Sequence, residues 1–245
     1  MDGTVRVEEL PARRGAAWLT ESFRVFRGAP LQWLGLCAGW ISITLALVVI
    51  PFLGLIIASF LQPVFFASFA IAAYKQLAGE RIVMADLFAG FRRQVRYLVN
   101  LGALELLAEI AIFGITALMG LPMVGDSAGN FDLADYLEAL RGKEWLLALY
   151  FLLTVIVKGA LWFAPALIAF HGMPTMHAVR WSIYAALANL GAMVVYGVLL
   201  VALLFVATVP SGLGLIVALP MMAISTYLGY RDVFENRGQT TFSKA

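Results

Sequence analysis

Two stretches of this chain, Gly28 to Tyr74 and Trp181 to Tyr230, contain no Asp, Glu, Lys or Arg. One bilayer crossing takes about 20 apolar residues in a helix, so each stretch is long enough for a pair of crossings joined by a tight turn. The rest of the composition agrees. Of 245 residues, 62% are apolar and only 13% are charged, whereas an ordinary soluble domain is about 25% charged. This excludes a soluble enzyme and a disordered chain. The 17 basic and 15 acidic residues leave a net charge of +2, which excludes a nucleic-acid module.

Continuous apolar runs predict six transmembrane helices: Leu31 to Ile50, Phe52 to Tyr74, Tyr97 to Leu121, Trp145 to Phe170, Asn189 to Val209 and Leu213 to Tyr230. Because the runs do not alternate, and because a backbone in lipid must satisfy its own hydrogen bonds, helices are expected rather than barrel strands. The first 30 residues are charged and interrupted, so no cleavable signal is expected and the first run stays in the protein. The single Cys37 cannot form an internal disulfide.

Direction follows from the basic residues in the connections. Arg6, Arg13, Arg14, Arg24 and Arg27 precede the first run, and Lys75, Arg81, Arg92, Arg93 and Arg96 lie between the second and third. Arg180 lies between the fourth and fifth, and Arg231, Arg237 and Lys244 follow the sixth. Against these fourteen stand only Arg141 and Lys143 in the connection between the third and fourth runs. Both termini are therefore expected in the cytoplasm. The outer connection from Pro122 to Glu144 is acidic, with Asp126, Asp132, Asp135, Glu138 and Glu144.

Short segments recur along the chain, which points to an internal repeat. Leu53-Gly-Leu-Ile-Ile-Ala58 returns as Leu213-Gly-Leu-Ile-Val-Ala218, and Asn100-Leu-Gly-Ala103 returns as Asn189-Leu-Gly-Ala192. The unit is a helical hairpin, giving units of about 12–75, 84–171 and 174–231 within one integral membrane domain over residues 1–245. Each begins with a basic, aromatic, amphipathic segment suited to the headgroup layer, such as Trp18 to Phe26 or Leu87 to Arg92. Each turns at Pro51, Pro122 or Pro210 and returns through a helix carrying Pro63, Pro165 or Pro220, where a kink is expected. Chance likeness between apolar sequences of restricted alphabet is the competing explanation. Gly35 and Gly39 form a GxxxG pair that lets another helix approach the first.

The start Arg14-Gly-Ala-Ala-Trp18 running to Phe26, the Ala-Pro-Leu31 that follows, Leu87-Phe-Ala-Gly-Phe91, and the ending Leu228-Gly-Tyr-Arg-Asp-Val-Phe234 carry a resemblance. Over nearly the whole chain the sequence resembles a group of uncharacterised proteobacterial six-helix inner-membrane proteins, a domain of unknown function. The resemblance implies a multi-pass location in the bacterial inner membrane and six helices. It brings no functional residues with it.

Three ionisable residues fall inside the predicted spans: Glu105, Glu109 and Lys158. Each costs at least about 2.5 kcal/mol to insert, so each needs a reason. Glu105 and Glu109 are one turn apart on one helix face, shared with Gly102 and Thr116. Counted from the cytoplasmic helix ends, Glu109 and Lys158 both lie about 18 Å in, and antiparallel neighbours bring them level. This pair, with or without Glu105, either neutralises itself and fixes the register of the central hairpin, or leaves a glutamate free to bind a cation, a proton or a substrate amine; a third alternative is a helix boundary that leaves Glu105 at the interface. Gln62 beside Pro63, Asn100 and Asn189 are uncharged polar candidates for interhelical hydrogen bonds. His171 and His177 are not on one helical face, so no metal site and no cofactor is expected. No phosphate-cradling loop, G-x-S-x-G or HExxH is present.

Two function classes follow. The first is a non-catalytic membrane protein that acts through helix packing, lipid contact or assembly with a membrane partner or a second copy. The second is a small-solute or ion transporter or permease component built on Glu105, Glu109, Lys158 and Gln62. A wet cavity at the charges favours the second, and a closed group of charges favours the first.

Overall fold

The computed structural model describes residues 6–122, 133–209 and 211–235. Among these residues the regular secondary structure is all helical. They are α1 (Arg13–Gly28), α2 (Pro30–Val48), α3 (Leu53–Leu77), a 3-10 helix (Met84–Arg92), α4 (Val95–Leu118), α5 (Leu133–Leu140), α6 (Glu144–Leu161), α7 (Ala164–His171), α8 (Thr175–Ala188), α9 (Leu190–Thr208) and α10 (Leu215–Phe234). Five spans are long and apolar enough to cross a bilayer: α2, α3, α4, α9 and the 28-residue stretch Glu144–His171 that α6 and α7 make together. The chain is a helical membrane protein. Pro210, Asp126, Asp132, Arg237 and Lys244, which the sequence reading used, lie outside the described residues.

The fourth predicted helix is two helices. Pro165 sits in the first turn of α7, where its missing N–H is not needed, and Trp162 and Phe163 form the break before it. The freed backbone groups find a partner on α8: the Phe163 N–H donates to Ser182 Oγ at 3.1 Å, and the Ser182 hydroxyl donates to the Ala160 carbonyl at 2.7 Å. Pro63 and Pro220 remain inside continuous helices.

Helices α3, α7 and α10 touch one another at the centre of the bundle. Where they meet, the rings of Tyr74, Phe170 and Tyr227 form a triangle with centroid separations of 5.7, 6.0 and 5.6 Å. Helix α10 also packs on α1, α2 and α9 and is buried along most of its length. Protein rather than lipid surrounds it, so it can carry Ser225, Thr226, Tyr227 and Tyr230 and, in its last turn, Arg231 and Asp232. Its lower apolarity separates it from the five spans above.

The short segments cover this centre in a cyclic order. The 3-10 helix lies on α2 and α3, α8 lies on α6 and α7, and α1 lies on α9 and α10. Close approach is set by glycine. A Cβ on Gly15 of α1 would overlap the Ala192 carbonyl of α9, and one on Gly90 of the 3-10 helix would overlap the Val64 carbonyl of α3. The Gly90 N–H donates to Ser68 Oγ at 2.9 Å, and Asp86 ties the segment down by accepting from Lys75 and from the Val83 N–H, each at 2.8 Å. The neighbour that Gly35 and Gly39 admit is this 3-10 helix: Cβ atoms there would stand 2.8 Å from Met84 Sδ and 3.0 Å from Leu87 Cδ2.

Candidate functional site

Lys158 stands in the last turn of α6, where the carbonyl end of a helix favours a cation. It reaches across to α4 and bridges both glutamates. Its Nζ is 2.8 Å from Glu105 Oε2 and 2.7 Å from Glu109 Oε1. The sequence places Glu109 level with Lys158, and the structure brings in Glu105 as well. Helical spacing explains this, because side chains four residues apart stand one above the other and a flexible lysine can lie between them. The three side chains differ in cover: Glu105 is 11% exposed, Lys158 35% and Glu109 36%. Two carboxylates and one ammonium leave one formal negative charge on the group when all are ionised.

Gln62 is half-buried on α3 and makes no hydrogen bond to any described residue, so it does not join the triad. Asn100 is exposed. Asn189 is buried at the junction of α8 and α9 and holds the N-terminal segment, with its Oδ1 accepting from the Leu10 N–H at 2.8 Å and its Nδ2 donating to the Glu8 carbonyl at 3.0 Å. His171 Nδ1 pairs with the Tyr230 hydroxyl at 3.0 Å, and His177 is exposed on α8.

A second charged group joins the beginning of the chain to its end. Asp232, with a side chain 5% exposed, accepts from Arg14 Nε at 2.9 Å, from Trp18 Nε1 at 3.1 Å, and from the Arg14 Nη2. Glu21 pairs with Arg14 at 3.0 Å and with Arg231 at 3.3 Å. Burial by itself lowers the Arg14 pKa, but the hydrogen bond and charge of Asp232, followed by those of Glu21, outweigh it and hold the guanidinium above its ordinary value. Beside this network Trp18, Trp162 and Tyr196 cluster in tilted and edge-on contacts with centroids 4.8 to 5.9 Å apart. Sequence reasoning singled out none of these pairs. The signal lay in two segments that carry the resemblance, Arg14 to Trp18 and Leu228 to Phe234, which face each other here.

Against known proteins, the chain is 27% identical to a probable inner membrane protein of Burkholderia thailandensis, over 92% of this chain and 93% of that protein. No protein-family profile matches the chain, and no solved structure matches it.

Proposed function

We propose that the chain is a non-catalytic multi-pass protein of the bacterial inner membrane, with α10 as its sixth crossing and both termini in the cytoplasm, acting through helix packing, lipid contact or partner assembly. The observation that carries this reading is the bridging of the triad by Lys158: its ammonium pairs with Glu105 and Glu109 of the same chain, so the cation needs no ligand to balance it. The filled centre supports it, since Ala70, Ala73, Leu167, Ile168 and Ile224 on the three central helices are fully buried. The cyclic order of the short segments supports three repeated hairpin units, and the name of the Burkholderia thailandensis relative supports the inner membrane.

A second reading, an ion or small-solute permease component, is favoured by one observation. The triad is about a third open at Glu109 and Lys158 and carries an excess negative charge. Reconstitution separates the two. Vesicles holding the purified protein and a pH-sensitive dye should leak protons, Na⁺ or K⁺ no faster than protein-free vesicles under an imposed gradient. A flux that Glu109→Gln abolishes would replace the first reading with the second.

A further inference from the structure

The outward faces of α1 and α8 share a pattern that burial leaves unused. On α1 the residues Thr20, Phe23, Arg24 and Arg27 line a shallow surface pocket, and on α8 the residues His177, Arg180, Trp181 and Tyr184 line another. Both sets follow the offsets 0, 3, 4 and 7, which is one stripe along a helix. Each stripe joins arginine to an aromatic ring and to a hydroxyl or imidazole. Arg27 already lies over the Phe23 ring, with Cζ 5.9 Å from its centroid.

The charges in these segments are sorted by face. The acids of α1 and the 3-10 helix, Glu21 and Asp86, are turned inward and paired with Arg14, Arg231 and Lys75. Arg13, Arg24, Arg27, Arg92 and Arg180 are exposed. An outward face that keeps arginine and withdraws carboxylate suits an anion, and arginine suits the two oxygens of a phosphodiester. The aromatic members suit the depth just below a headgroup, where a ring is half in hydrocarbon.

We propose that the α1 and α8 stripes are two headgroup sites for anionic phospholipid, with the phosphodiester on Arg24 and Arg27 at one and on Arg180 and His177 at the other, and the acyl chains beside Phe23 and Trp181. This rests on the reading that both helices lie at the membrane surface. It adds selectivity for the headgroup, which that reading does not require.

The test uses the full chain in a neutral detergent, adding phosphatidylglycerol, phosphatidylcholine or water-soluble glycerol phosphate. Phosphatidylglycerol should raise Tm and appear as two tightly held lipids per chain in native mass spectrometry, and the other two should do neither. In Arg24→Ser with Arg27→Ser one of the two lipids should be lost, and adding Arg180→Ser should lose the second, with the lipid-free Tm unchanged because these side chains are exposed. Equal effects of phosphatidylglycerol and phosphatidylcholine would overturn the proposal, as would full retention of phosphatidylglycerol by the triple variant. An equal response to glycerol phosphate would assign the stripes to a soluble phosphate and overturn the lipid. Thiol labelling of single cysteines on either side of the membrane reports the surface position of α1 and α8 separately, so a failed selectivity test leaves that reading standing.

Discussion

Three spans, α3, α6 with α7, and α10, change character at their prolines. Before Pro63, α3 exposes Leu53, Leu55 and Ile56, whereas after it Val64, Phe65, Ala67, Phe69, Ala70, Ala72 and Ala73 are buried. Helix α6 exposes Phe151, Leu152, Val155 and Ile156, whereas Ala166, Leu167 and Ile168 beyond Pro165 are fully covered. In α10 Ile216 is exposed, and Ile224, Leu228 and Tyr230 beyond Pro220 are not. An apolar side chain facing lipid gives up nothing that packing would restore, so the half before the prolines can stay thin. The half after the prolines is held by interdigitated aromatics, alanines and glycines, by the Asp232 network, and by α1, α8 and the 3-10 helix laid over it. Stability should therefore concentrate there, with one exception.

The exception is the ion triad, which stands before Pro165 in the thin half. Lys158→Met should give the largest loss of any change in that half, because it strands two carboxylates. Removing one partner of a buried pair costs about 3 to 5 kcal/mol, and the partial exposure here puts the loss at the low end. Glu105→Leu and Glu109→Leu added to Lys158→Met should recover most of it in thermal unfolding in detergent. A triple variant as unstable as the sum of its parts would show that the three do not interact.

In the packed half, Asp232→Ala removes the acceptor shared by Arg14 and Trp18. Hydrogen bonds to charged groups contribute about 1.5 to 3 kcal/mol, and a loss of that size is expected in the same assay. The glycines give the cleanest contrast. Gly15→Ala and Gly90→Ala push a Cβ into fixed backbone and should each cost about 1 to 3 kcal/mol. Gly114→Ala and Gly197→Ala, on α4 and α9, meet open space and should be neutral or gain up to about 1 kcal/mol from helix propensity. Equal effects at the two pairs would erase the comparison.

The smallest effect concerns Glu235, just past α10. Burial holds its carboxyl above the ordinary range, partly offset by the Tyr227 hydroxyl at 3.3 Å and by the Arg231 charge. A value raised in the folded state means stability that is full below the ordinary carboxylate range and lost as pH rises through the raised value. Glu235→Gln should therefore flatten the fall in Tm on going from about pH 4 to pH 7.

Much of this architecture was legible because lipid demands a long apolar run wherever a helix crosses. The runs from Leu31, Phe52, Tyr97 and Asn189 begin and end within three residues of α2, α3, α4 and α9. The break at Trp162 was not legible in full: a proline signals a lost hydrogen bond, but whether the helix bends or parts depends on a neighbour such as Ser182 being there to take the freed N–H. Helix α5 was missed in a charged connection, although Leu133, Tyr136 and Leu140 have helical spacing. At the triad, depth counting set Glu109 level with Lys158, since two antiparallel helices meet at predictable levels, and Glu105 joins from one turn away. The Asp232 network was hidden because its members are more than 200 residues apart in sequence, and no local pattern joins them.

Everything about which half faces the cytoplasm rests on the bias of the basic residues, and single-cysteine labelling in intact cells tests it most directly. With Cys37 replaced by Ser, Glu138→Cys on α5 should react with a membrane-impermeant thiol reagent, and Arg92→Cys at the end of the 3-10 helix should react only after the membrane is opened; both positions are exposed. Labelling of Arg92→Cys in intact cells with Glu138→Cys protected would turn the molecule over, and labelling of both from outside would contradict an odd number of crossings between them.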